Sequence, residues 1–292
     1  MFIGRETTPK RRRGTKMVTQ YKNLINGEMV ETGEWLDVVN PANEEVIGQV
    51  PACGSDDLDK AVAAARAAFK TWKTTSFEER QAACMAISGA IKENADELYR
   101  LLTSEQGKPH AQAKGEIYGA AGISAAQSTL QLEEEIIQDD DTRLHRHRRV
   151  PVGVVGGIVP WNFPVMMAIQ KIIPALMSGC TIVLKPSPFT PLTTLRVAEL
   201  IADKVPAGTV NIITGEDSLG PRITGHADID KITFTGSTAT GKKIMEGASG
   251  DLKRITLELG GNDASIVLPD ADPKKVAEQL FWSSFQNAGQ VC

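Results

Sequence analysis

The run Phe285-Gln286-Asn287-Ala288-Gly289-Gln290-Val291-Cys292 sets a cysteine just after a glycine-containing turn. A thiolate is a strong nucleophile, so Cys292 is a candidate for covalent attack on an electrophilic carbon, with a buried small hydrophobe as the bland alternative. Upstream, Leu257-Glu258-Leu259-Gly260-Gly261 places a carboxylate at the end of an apolar run. Held among Leu257, Leu259 and Gly260, Glu258 would be partly desolvated and its pKa raised towards the range of a general base. A solvent-facing strand end is the competing reading. Pro160-Trp161-Asn162-Phe163-Pro164 is a loop stiffened by proline at both ends, in which Asn162 offers an amide donor where α/β folds place ligands. It also reads as a purely structural loop. Phe234-Thr235-Gly236-Ser237-Thr238-Ala239-Thr240-Gly241-Lys242-Lys243 is a strand ending in a glycine-rich turn that opens a helix, and such a helix start attracts phosphate. It misses the phosphate-loop pattern because Lys243 stands where a magnesium-binding hydroxyl belongs, and it lacks the G-x-G-x-x-G fingerprint.

The elements that must position these residues follow from pattern. After the N-terminal tail, the first third is expected to be helical. Ser55 precedes an amphipathic stretch with Leu58, Val62, Ala65 and Phe69 on one face, Ser76 and Glu79 form a capping box, and Asn94 starts a helix that Gly107 and Pro109 end. Short apolar runs at Val152–Val159, Thr181–Leu184, Thr209–Ile213, Lys231–Thr235, Ile255–Leu259 and Ala264–Leu268 then alternate with helical segments at Val165–Met177, Thr193–Lys204 and Thr238–Ala248. Right-handed βαβ units building a doubly wound parallel sheet are the solution. Residues Thr129 to Arg149 interrupt this rhythm with an acidic run, an Asp-rich turn and a basic return, as a long hairpin would. A further helix is expected from Pro273 through Asn287.

Composition narrows the class. The chain has 292 residues, 41% hydrophobic and 23% charged, which suits a soluble globular protein. No apolar stretch reaches the roughly 20 residues needed to span a bilayer. Met1 to Lys16 holds a net charge of about +5, so the remainder is acidic; residues 1–16 read as a disordered tail, and neither nucleic acid nor membrane is expected as a partner. Cys53, Cys84, Cys180 and Cys292 are scattered without CxxC spacing, which fits a reducing, cytoplasmic setting. His145 and His147 lie in an arginine-rich stretch without metal-ligand spacing, so no metal is expected.

Taken in order, P-W-N-F-P, K-P-S, F-T-G-S-T-x-x-G, L-E-L-G-G and F-x-N-x-G-Q-x-C resemble the aldehyde dehydrogenase superfamily over about Tyr21 to Cys292. The resemblance implies an α/β fold with a doubly wound dinucleotide-binding domain (17–128 and 150–261), an oligomerisation hairpin (129–149) and the start of a catalytic domain (262–292). It implies oxidation of a small-molecule aldehyde with NAD or NADP, Cys292 attacking the carbonyl, Asn162 stabilising the oxyanion and Glu258 activating the hydrolytic water. On the cofactor side it implies Lys185 at the adenosine ribose, Trp161, Ser187 and Gly208 lining the adenine, Gly236 and Ser237 at the pyrophosphate, and Leu259 near the nicotinamide. Phe163, Met167 and Gln170 are the visible substrate-pocket candidates. Pro188 stands where many NAD-preferring members carry a glutamate, which leaves both cofactors open.

The resemblance ends at Cys292, while the family continues. Two expectations attach to a chain of this extent: little or no dehydrogenase turnover, and impaired pairing of the hairpin with another subunit. The rival reading is a catalytically dead nucleotide-binding or regulatory module that associates with full-length relatives. A phosphate-loop nucleotidase stands further off, because of Lys243.

Overall fold

The computed structural model describes residues 18–131 and 134–292; the basic tail, and Leu132 and Glu133 of the hairpin, lie outside the described residues. Five short strands come first, β1 (Thr19–Gln20), β2 (Asn23–Ile25), β3 (Glu28–Val30), β4 (Trp35–Val39) and β5 (Val46–Pro51), where the sequence suggested only helix. A two-residue period cannot be read from β1, β2 and β3, which have two or three residues each. β1, β5 and β4 form a small sheet, while β2 and β3 extend the edge of the main one.

Helix α1 (Ser55–Trp72) starts one residue earlier than the Ser55 cap predicts, with Gly54 as its N-cap and its N–H donating to the Asp57 carboxylate at 3.2 Å. The capping box of α2 (Phe77–Glu93) forms as expected, Glu79 N–H to Ser76 Oγ and Ser76 N–H to Glu79 Oε2. Asn94 precedes α3 (Ala95–Gln106), but its side chain donates to the Ala90 carbonyl and closes α2 instead. Gly107 ends α3 at a φ of +91°, a left-handed conformation that favours glycine. Helix α4 (His110–Gln127), which the sequence pattern did not mark, follows and packs on α2, α3 and α5.

The hairpin of β6 (Glu135–Asp140) and β7 (Arg143–His147) forms as read. The Asp140 carboxylate accepts from the Thr142 hydroxyl and from the N–H groups of Thr142 and Arg143, which tightens the turn and holds its pKa well below the usual range, at about 2. Both strands are exposed along their whole length.

The main sheet is built from β8 (Val154–Ile158), α5 (Pro164–Met177), β9 (Thr181–Lys185), α6 (Leu192–Ile201), β10 (Val210–Ile212), α7 (Leu219–Gly225), β11 (Lys231–Gly236), α8 (Thr238–Ser249) and β12 (Arg254–Leu259). Its order is β12-β11-β8-β9-β10-β2-β3, the first five parallel and the last two antiparallel. One core packs α2 to α6 against the sheet; the other holds α1, α7 and α8 on the opposite face. The chain leaves β8 in one direction through α5 and α6, then returns to its other side through α7 and α8. The loops after β8 and β11 therefore meet at the switch point, where ligands of such sheets bind. The strand predicted at Ala264–Leu268 is absent. No neighbouring strand lies beside it among the described residues, and Ile266, Val267 and Leu268 are exposed. Helix α9 (Pro273–Phe285) follows, capped by the Asp272 side chain, and runs into a short turn at Gln286–Gly289.

Candidate functional site

The loop between β8 and α5 carries Asn162. Its backbone carbonyl accepts from Lys108 Nζ at 2.7 Å and Asn287 Nδ2 at 3.2 Å, and its own Nδ2 donates to the Gln290 carbonyl at 2.9 Å. Asn287 and Ala288 hold φ angles of +52° and +58° and turn the chain sharply after α9, with the Asn287 N–H donating to Gln112 Oε1 at 3.0 Å. This turn carries Cys292 to the end of β12, where Gly261 N–H donates to the Cys292 carbonyl at 2.8 Å. Residues widely separated in sequence are thus gathered at the carboxyl ends of β8 and β12. Cys292 is exposed, whereas the other three cysteines are buried, and burial pushes the Cys53 and Cys84 thiols up to about 12. A nucleophilic role falls to Cys292 on exposure alone.

Glu258 lies in register with Thr235 of β11, but it is exposed rather than desolvated among leucines. Strand alternation is the reason: Leu257 and Leu259 point into the core beneath α8, and Glu258 points to the other face. The sequence reading missed what shares that face. Lys171 of α5 is 7% exposed and donates to Thr235 Oγ1 at 2.8 Å and Thr233 Oγ1 at 3.3 Å. Burial lowers its pKa to about 8, opposed by the charge of Glu258, while Lys231 lowers it further. A single charged residue in the segment Val165–Met177, apolar apart from Gln170, was the available signal.

The cofactor candidates separate into two groups. Lys185, at the end of β9, is 3% exposed; burial brings its pKa down to about 8, with Asp217 in the loop after β10 opposing the shift. Ser187 is buried beside it, accepting from Phe189 N–H, and the Trp161 carbonyl accepts from Thr190 Oγ1, which ties the β8 and β9 loops together. Gly236 ends β11 where a Cβ would lie 2.5 Å from the Phe234 ring, and Ser237 caps α8 by accepting from Thr240 N–H. Gly241 of α8 faces Leu259 so closely that a Cβ would sit 2.6 Å from it. Gly208 does not join this group. It precedes β10, at the opposite end of the sheet, and its missing side chain lets Ala64 of α1 approach, the Ala64 carbonyl lying 2.7 Å from a built Cβ.

Of the helices that begin on this side of the sheet, α5, α6 and α8 are not equivalent. Glu116 of α4 accepts from Val165 and Met166 N–H at the start of α5, and Glu105 of α3 accepts from Leu192 and Thr193 N–H at the start of α6. Both carboxylates are buried. At α8 the Thr238 and Ala239 N–H groups have no protein acceptor among the described residues, so this terminus suits a phosphate. Glycines that allow close approach, a free helix start and a buried lysine beyond it fit a dinucleotide.

Among the pocket candidates, Phe163 packs its ring on Lys108, Met167 packs partly into the core, and Gln170 is exposed. Two clefts lie elsewhere, one of about 320 Å³ at Tyr21, Lys22, Glu97 and Arg196, the other of about 600 Å³ between residues 265–271 and α9. Neither includes Asn162, Glu258 or Cys292. Among the described residues no three His, Cys, Asp or Glu side chains could hold a metal ion, and no helix is long and apolar enough to cross a membrane.

Comparison with known proteins agrees with this geometry. A family profile described as aldehyde dehydrogenase family matches residues 29–292. The NADP+-dependent succinate-semialdehyde dehydrogenase of Escherichia coli is 42% identical over 277 residues, covering 92% of this chain and 57% of that protein. The glutarate-semialdehyde dehydrogenase of Pseudomonas putida is 41% identical over 276 residues, with the same coverage of 92% and 57%. The NAD+ complex of an aldehyde dehydrogenase from Bacillus cereus superposes with a TM-score of 0.90 at 38% identity, covering 94% of this chain and 57% of that one. The chain thus spans a little over half the length of these relatives.

Proposed function

Because the chain belongs to the aldehyde dehydrogenase family, we propose that its site oxidises an aldehyde to a carboxylic acid with NAD+ or NADP+ through Cys292. The observation that carries this reading is that the Asn162 amide holds the Gln290 carbonyl, two residues before the exposed Cys292, whose own carbonyl is bound by Gly261 just past the Glu258 strand end. The Cys292 thiolate adds to the aldehyde carbon, and the oxygen takes the negative charge, stabilised by the Asn162 amide and the Cys292 N–H. The dinucleotide, when bound, supplies a hydride acceptor. Loss of hydride from the thiohemiacetal carbon leaves a thioester on Cys292. Glu258 then takes a proton from water, whose oxygen attacks the thioester, and the carboxylic acid and the thiolate separate.

Supporting roles follow from placement. Lys171, on the same face of the sheet as Glu258, holds the Thr235 and Thr233 hydroxyls beside it. Gly236, Ser237 and the start of α8 hold the pyrophosphate, with Lys185 and Ser187 on the adenosine side and Leu259 below the nicotinamide. Trp161 lines the adenine side. Pro188 brings no carboxylate against a 2′-phosphate, so both cofactors are accepted. Phe163, Met167 and Gln170 face the aldehyde. The β6–β7 hairpin, with Ile136 and Leu144 exposed, serves to pair with another subunit.

The test is a single-turnover assay with succinate semialdehyde, glutarate semialdehyde and an aliphatic and an aromatic aldehyde, each with NAD+ and NADP+. Reduced cofactor that forms slowly and vanishes in Cys292→Ala supports the reading. If the cofactor binds and the two proteins behave alike, the nucleotide-binding module takes its place.

A further inference from the structure

We infer that Lys108 is a positioning residue for Asn162, fixing the loop from which the amide reaches the nucleophile's segment; this rests on the reading of Asn162 as the oxyanion donor. Lys108 stands between Gly107, which turns the chain out of α3, and Pro109. Its side chain and that of Glu116 are both 0% exposed and form an ion pair. An ammonium has three N–H donors, and three acceptors surround this one. Glu116 Oε2 takes one, the Asn162 carbonyl at 2.7 Å takes another, and the Phe163 ring, its centroid 4.0 Å away, presents its π face to the third. The second oxygen of Glu116 accepts from Val165 and Met166 N–H. One dry ion pair therefore grips the backbone of the loop on both sides of Pro164.

The consequence is stiffness at the place where catalysis needs it. If the Asn162 carbonyl moved away, a buried cation would lose an acceptor that water cannot replace, so the loop is confined to one geometry. An oxyanion donor works only when held at hydrogen-bond distance from where charge develops. Glu116 alone would suffice to cap α5. The bond from Lys108 Nζ to the Asn162 carbonyl is the additional link, and it bears on the amide rather than on the helix.

Amide and ammonium NMR signals of the labelled 292-residue chain test this. In the unsubstituted protein a slowly exchanging Lys108 ammonium signal with through-space contacts to the Phe163 ring protons is expected; its absence overturns the inference. In the variant Lys108→Met with Glu116→Gln, where the carboxamide oxygen still caps α5, the Asn162 side-chain signals, assigned by their loss in Asn162→Ala, should shift and broaden while those of buried Asn23 and Asn211 hold. A folded variant whose Asn162 signals stay in place also overturns it, since a merely structural pair would lower thermal stability and leave that amide alone. Should the variant not fold, the ammonium signal decides. Failure of Cys292-dependent cofactor reduction would sink the dehydrogenase reading without altering these spectra, so the two failures are distinct.

Discussion

Exposure distinguishes the four thiols more sharply than their sequence neighbours do. Cys53, Cys84 and Cys180 are buried, and Cys53 also accepts from Asn23 Nδ2 at 2.8 Å, so alkylation of the native protein should modify one thiol per chain. Mass spectrometry after iodoacetamide treatment should place that label on Cys292 and find none in Cys292→Ala. Glu258→Gln should leave hydride loss intact and slow thioester hydrolysis by about 10²- to 10⁴-fold, seen as a burst of reduced cofactor without continued turnover. Lys108 and Lys171 were not legible as site residues, because lysine in sequence reads as a solvated charge. Their burial is set by groups 54 and 64 residues away, Asn162 and Thr235, and no local pattern reports such contacts.

Strand and helix boundaries within the doubly wound sheet were legible because β8, β9, β10, β11 and β12 are apolar and evenly punctuated. Facing was harder to read. The extent of β12 was anticipated, yet Glu258 was set among its leucine neighbours when a period of two sends it to the other face. Gly208 was given to the adenine side by the family resemblance, outside any of the motifs, while its place before β10 sets it against α1. Gly208→Ala should therefore cost about 1–3 kcal/mol, since φ is +78° and the new Cβ meets the Ala64 carbonyl, measurable as a lower denaturant midpoint. The cap on α6 predicts a pH effect. Burial raises the Glu105 pKa from 4.5 to about 7, so between those values the folded chain holds a proton that the unfolded chain has released. Its contribution to stability is present below pH of about 4.5 and is lost as pH rises towards 7. Glu105→Gln should flatten that decline in urea unfolding followed across the same window.

Over the whole molecule, apolar surface is unevenly placed. Phe281, Trp282 and Phe285 of α9 are exposed together with Ile266, Val267 and Leu268 nearby, a concentration of large side chains that normally marks a contact surface. The helical layer on the other side of the sheet has a different effect at this scale. By occupying the starts of α5 and α6, Glu116 and Glu105 leave the start of α8 open, and on the proposed reading a pyrophosphate would be neutralised there. With Lys185 on one side of that place and Cys292 on the other, a dinucleotide bound as proposed would have one way round to lie. Its direction would then be set by refusal at two wrong berths as much as by attraction at the right one.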